Sequence, residues 1–190
     1  MAWLAEDKRA ALTDAGEPLL TDAMKATLRD TYFPRYPTKQ ACLLPGLHLL
    51  QHEYGWIPAQ AMSEIAEFLE LSEAEVIDTA SFYEEYWLQP KGKYLLQVCR
   101  SLACEVCQSS KITDYLSESL NVEVGETSDD QRFTLVELEC LGSCGTAPVL
   151  MINDVLHENV EVGQLDDLIA ALPDDPHDLK DPSVDWDAGH

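Results

Sequence analysis

The sequence predicts an N-terminal helical bundle followed by an α/β domain, α+β over the whole chain. Three observations carry this prediction. Up to about Tyr86, apolar residues recur every third or fourth position, which places them on one face of a helix. From Lys93 onward, short runs of strand-forming residues are interleaved with helical spacing, the pattern of an α/β unit. Four of the six cysteines fall in two pairs, each pair placed where a predicted strand ends.

The elements follow in order. Thr21 can cap a helix running through Ala23, Met24 and Leu28 toward Tyr32, and Pro34 and Pro37 then interrupt the chain. Thr38 can cap a second helix carrying Ala41, Leu44, Leu47 and His48, with a kink or break expected at Pro45. Gly55 suits its C-terminal stop. Pro58 suits the first turn of a third helix with Met62, Ile65, Ala66 and Leu69 on one face. Ser72 and Glu75 make a capping-box pattern ahead of Val76, Ile77 and Ala80. Helices this short, joined by brief connections, imply a small bundle.

The period then changes. Residues 93–98 read as a strand and 104–120 as a helix through Val106, Ile112, Tyr115 and Leu116. Residues 132–138 alternate as a half-buried strand does, and 148–152 and 155–157 flank the turn Asn153-Asp154. Residues 161–172 form a last helix. The order strand, helix, three strands, helix fits a thioredoxin-like domain. The expected boundaries are a tail at 1–18, the bundle at 19–87, the thioredoxin-like domain at 88–173 and an acidic tail at 174–190. That last segment is rich in Asp and holds two prolines, so it is expected to be loosely draped.

Charge excludes several functions. With 35 acidic and 12 basic residues the formal net charge is −23. Nucleic-acid binding needs clustered Lys and Arg on phosphates, so no nucleic-acid partner is expected. An anionic membrane surface is disfavoured for the same reason. Apolar runs are broken well short of a bilayer span, so no membrane insertion is expected. The N-terminus carries acid early and lacks an apolar stretch, unlike a secretory signal. A cytoplasmic location follows, where thiols stay reduced and clustered cysteines bind metal or do chemistry.

Cys99 ends a predicted strand and Cys104 follows after four intervening residues; Cys140 lies just past the next strand and Cys144 follows after three. Two strand-exit loops can lie side by side at one end of a sheet. Four soft, anionic sulfurs would suit a [2Fe–2S] cluster. Gly142 and Gly145 allow close backbone approach, with N–H groups turned toward sulfur. A helix starting at Cys104 would place its positive end there and favour a thiolate. Spacing alone leaves alternatives open. Structural zinc is one, although zinc pairs more often sit two residues apart. Thiol exchange is another, since Cys104 and Cys107 form a Cys-x-x-Cys.

The pattern Cys-x4-Cys, thirty-five residues, Cys-x3-Cys resembles the E-type [2Fe–2S] subunit family of respiratory complex I, the NADH-quinone oxidoreductase. The resemblance extends through Arg35-Tyr-Pro, Leu43-Leu-Pro-Gly-Leu-His-Leu-Leu-Gln51, Gly55-Trp-Ile-Pro58 and Thr79-Ala-Ser-Phe-Tyr83. It continues through Pro90-Lys-Gly-Lys-Tyr94, Val98-Cys99, Glu139-Cys-Leu-Gly-Ser-Cys144, Ala147-Pro148 and Ile152-Asn153. The family implies a helical bundle joined to a thioredoxin-like domain with one [2Fe–2S] cluster on Cys99, Cys104, Cys140 and Cys144. It implies docking on a flavin- and NADH-binding subunit that carries FMN, beside a larger iron–sulfur subunit. It also implies one-electron exchange with that flavin, in the peripheral arm of a membrane-bound complex. Equivalent subunits serve NAD-linked hydrogenases and formate dehydrogenases. Cys107, the acidic tail and the overall charge depart from the family pattern.

Other residues read more plainly. Cys42 is expected to be a small buried apolar residue. His48 and His52 have i, i+4 spacing, but the sequence offers no evident third ligand. Phe82, Tyr83, Tyr86 and Trp87 are expected to pack at the junction of the halves. With no Gly-rich phosphate loop, nucleotide binding by this chain is not expected. The chain is expected to carry electrons as a subunit, with no acid–base residue of its own.

Overall fold

The computed structural model describes residues 16–176 and Leu179. The predicted tails, 1–18 and 174–190, lie largely outside the described residues. The chain divides between Pro90 and Lys91 into two compact units.

The first unit is helical. Thr21 caps α1 (Asp22–Thr27) by accepting the Met24 N–H at 3.2 Å. The chain then widens into a π turn, Leu28–Tyr32. The predicted break at Pro45 does not occur. Thr38 instead accepts the Ala41 N–H at 3.3 Å ahead of a 3₁₀ turn, Gln40–Cys42. Helix α2 then runs unbroken over Leu43–Tyr54. Pro45 is its third residue, where an amide has no partner inside the helix, so proline forfeits no bond. Gly55 ends α2 at φ 75°, a conformation that glycine adopts without strain. Pro58 sits just outside α3 (Ala59–Leu69) rather than in its first turn.

Helix α4 (Glu73–Phe82) opens on the expected capping box: Ser72 Oγ takes the Glu75 N–H and Glu75 takes the Ser72 N–H. It buries Val76 and Ala80 but leaves Ile77 44% exposed. The core of this unit joins Leu20, Leu28, Leu47, Leu50, Met62 and Ile65 with Cys42 and Tyr86. Tyr86 donates its hydroxyl to the Leu44 carbonyl at 3.1 Å. The aromatic group Phe82–Trp87 therefore splits, since Phe82 is 78% exposed while Tyr86 lies in the helical core.

In the second unit, β1 (Tyr94–Cys99), β2 (Phe133–Leu138), β3 (Leu150–Ile152) and β4 (Val155–His157) form a sheet in the order β2-β1-β3-β4. Strand β1 is parallel to β2 and antiparallel to β3. The crossover from β1 to β2 holds α5 (Leu102–Val106) and α6 (Ser109–Leu120), and α7 (Leu165–Ala170) ends the unit. Tyr94, Leu96 and Val98 of β1 pack with Leu135, Leu150, Ile112, Leu116 and Leu165.

Three expectations are corrected here. The helix predicted over 104–120 is two helices, broken at Gln108 with φ 68°. The break leaves Val106 74% exposed while Ser109, Ile112 and Leu116 turn inward. Strand β2 does not alternate in burial: Phe133, Thr134, Leu135 and Val136 are all buried, as in parallel strands covered on both faces. The final helix is a 3₁₀ turn, Val162–Gln164, followed by the shorter α7. Among the described residues no helix is long and apolar enough to cross a membrane.

Candidate metal centre

Parallel pairing of β1 with β2 brings two strand exits together. Cys99, the last residue of β1, stands opposite Leu138, the last of β2. Past that point the Arg100 N–H donates to the Leu138 carbonyl at 2.9 Å. Cys104 lies in α5 and Cys144 opens the 3₁₀ turn Cys144–Thr146.

The four cysteines lie near one another at this end of the sheet. Cys104 lies beside Cys99, and Cys140 lies near Cys144 and Cys99. Among the described residues no group of three or more His, Cys, Asp or Glu side chains is arranged around a single ion. A [2Fe–2S] cluster would take four thiolates, which Cys99, Cys104, Cys140 and Cys144 would supply. Two adjacent cysteine pairs, on loops joined at their stems, fit that demand.

The two sides of the site differ. Cys99 and Cys104 are buried with Val149 against Leu141, Ala147 and Leu156. Cys140 and Cys144 are exposed. The thiol of Cys104 is pushed up to about 11, first by burial and then by the neighbouring Cys99 thiol. That of Cys140 is lowered, chiefly by the Gly142 N–H donating to its sulfur at 3.3 Å. Gly142 supports this contact at φ 78°. Cys104 gains little from a helix dipole, because α5 spans only five residues and sums few aligned peptide dipoles.

Sequence reading missed the polar supports. The Ser101 side chain is one of the groups that lower the Cys140 thiol. Arg100 lies 3.1 Å from Glu139 and 3.8 Å from Glu137, so a residue beside Cys99 holds the stem that leads to Cys140. Thr113 donates to Glu137 at 3.0 Å. Proximity to the cysteines was the only signal for Arg100 and Glu139; Ser101 needed the fold. Of the other candidates, Cys42 is buried in the helical unit and Cys107 is exposed at the end of α5. His48 packs against Tyr86 with ring centres 5.0 Å apart and the planes tilted by 56°.

The fold and site define a thioredoxin-like scaffold with four cysteines at one end of its sheet. Residues 30–173 match the family described as thioredoxin-like [2Fe-2S] ferredoxin. NADH-quinone oxidoreductase subunit 2 of Thermus thermophilus is 41% identical over 143 residues, covering 74% of this chain and 79% of the relative. An NADH-quinone oxidoreductase subunit of Rhizobium meliloti is 35% identical, covering 73% and 82%. Another, from Rickettsia felis, is 34% identical, covering 81% and 94%. The chain belongs to this family of [2Fe–2S] oxidoreductase subunits. Among solved structures, an NAD+-reducing [NiFe]-hydrogenase superposes with a TM-score of 0.62 at 24% identity. The match covers 70% of this chain and 23% of that one, a likeness of fold.

Proposed function

We propose that Cys99, Cys104, Cys140 and Cys144 hold one [2Fe–2S] cluster, and that the chain is the electron-transfer subunit of an NADH:quinone oxidoreductase. In this reading it exchanges electrons with the FMN of an NADH-binding subunit and sits beside a larger iron–sulfur subunit. The observation that carries it is the parallel pairing of β1 with β2, which brings the loops of both cysteine pairs to one end of the sheet.

When bound, the cluster supplies one-electron chemistry through valence change at iron. The chain's own residues do the rest. Val149, Leu141 and Leu156 keep water from the buried Cys99–Cys104 side. The Gly142 amide and Ser101 hydroxyl offset negative charge at Cys140. The exposed Cys140–Cys144 side is where a redox partner approaches. Helices α1–α4 are read as an N-terminal bundle at 19–87, preceding the domain at 88–173 with tails at 1–18 and 174–190. The chain inserts in no membrane, binds no nucleic acid and sits in the cytoplasmic, peripheral arm of its complex. A second reading is the equivalent subunit of an NAD-linked hydrogenase or formate dehydrogenase; the fold likeness to the NAD+-reducing hydrogenase favours its mention.

Metal analysis of the purified chain tests the site. Iron and acid-labile sulfide in equal amounts, with a paramagnetic signal on reduction, are expected. Serine at any of the four proposed ligands should abolish that signal, and Cys107→Ser should keep it. One zinc without sulfide would replace this reading with a zinc-stabilised module. Disulfide reductase turnover dependent on Cys104 and Cys107 would replace it with thiol exchange. Co-purifying subunits separate complex I from hydrogenase.

A further inference from the structure

The loop that carries Cys144 is tied down from an element the cysteine motif does not include. Glu158 follows β4 in the chain, fourteen positions past Cys144. Its Oε1 accepts the Ser143 hydroxyl at 2.7 Å and the Thr146 hydroxyl at 2.6 Å. These two hydroxyls also touch each other at 2.6 Å, and Thr146 Oγ1 reaches the Ser143 carbonyl at 3.2 Å. One carboxylate oxygen thus joins the residue before Cys144 to the residue two after it. The backbone closes the same ring: Thr146 N–H donates to Ser143 O at 3.1 Å and Asn159 N–H to Thr146 O at 2.8 Å.

We infer that Glu158 is a positioning residue for the cluster, a carboxylate clamp that pre-sets the Cys144 turn from the β3–β4 hairpin. This rests on the cluster reading above. The physical case is one of exposure and loop entropy. Cys99 and Cys104 are held by burial, whereas Cys140 and Cys144 are exposed and lack that support. The Cys144 turn is a single 3₁₀ turn of three residues, with no side-chain cap on its start. An exposed loop opens at little cost unless something holds it. Hydrogen bonds to an ionised acceptor are the stronger kind, and two of them converge here on either side of the sulfur. A ligand whose turn is preformed leaves less ordering to be done when iron binds and is slower to let go.

The test uses the full chain loaded with iron and sulfide. Iron release to a chelator and the visible circular dichroism of the site are followed for the parent, Glu158→Ala and Glu158→Gln. Gln keeps an Oε1 acceptor and Ala does not. Release from Glu158→Ala is expected to be about tenfold faster, with an altered dichroic spectrum, and Gln should restore most of the difference. Thr146→Val added to Glu158→Ala should accelerate release no further, because both remove the same clamp. Parent-like release and spectrum in Glu158→Ala, or Gln behaving like Ala, would overturn the clamp. A merely structural effect would lower thermal stability and leave the spectrum of the surviving site unchanged, which also counts against it. If the parent holds no iron and sulfide, the cluster reading itself fails. The clamp is then judged on the metal-free chain, where amide exchange at Thr146 and Asn159 should quicken in Glu158→Ala and recover in Glu158→Gln; no change there rejects it.

Discussion

At the scale of single residues, several positions in the recognisable motifs owe their identity to backbone geometry. Gly92 is one. A Cβ there would lie 2.8 Å from the backbone carbon and 2.9 Å from the backbone nitrogen of Phe133. Neither atom can swing aside as the end of a flexible side chain can. The Gly92 N–H donates to Thr134 Oγ1 at 2.7 Å, so the approach is also bonded. Gly92→Ala should therefore destabilise the second unit by about 1–3 kcal/mol. Thr134→Val, which keeps the shape and strands the buried N–H, should cost about 1–3 kcal/mol as well. Urea unfolding of each variant checks both. Asn153 works similarly: at φ 49° its side-chain oxygen accepts the Leu95 N–H at 2.8 Å while its own N–H donates to Leu95 O at 3.0 Å. The turn residue thus completes the edge of β1 beyond its pairing with β3.

At the scale of elements, the clearest local signal is the start of α4. The Glu75 carboxyl is held below its ordinary range, first by the Ser72 N–H and then by the Ser72 hydroxyl. A carboxylate depressed in the folded state stabilises above its unfolded pKa, about 4.3 for Glu, and that contribution fades as pH falls through the lower folded value. Glu75→Gln should thus unfold more easily than the parent at pH 7, with the difference vanishing in acid. Thermal melts followed by circular dichroism from neutral pH into acid measure this. The paired helices α5 and α6 teach the opposite lesson. Their residues carry one continuous helical rhythm in the sequence, yet Gln108 breaks it. The break buries Cys104 beside Cys99 and turns Ile112 and Leu116 toward the sheet.

At the scale of the whole molecule, charge bears on redox behaviour. Salt screens fields beyond about 8 Å under physiological conditions, so the net charge of −23 acts on the site mainly through its nearest members. Glu105 and Glu139 adjoin Cys104 and Cys140, and Arg100 adjoins Cys99 but is engaged by Glu137 and Glu139. Adding an electron there places negative charge among carboxylates. The midpoint should then lie nearer about −400 mV than zero. A redox titration followed by the paramagnetic signal checks it, and a clearly positive value would contradict the argument.

The sequence by itself determined the helical half, the caps at Thr21, Gly55 and Ser72, the succession of strands along the chain and the four cysteines with their spacing, because these are local patterns: periodicity, turn chemistry and intervals along the chain. Only the tertiary structure decided what depends on distant contacts. Parallel pairing of β1 and β2 sets Cys99 opposite Leu138 and so brings the two cysteine pairs together. Packing splits the predicted helix at Gln108 and buries the Cys104 thiol beside Cys99. Glu158 reaches the Cys144 turn only because the β3–β4 hairpin folds back beside it, and no interval in the sequence marks that contact.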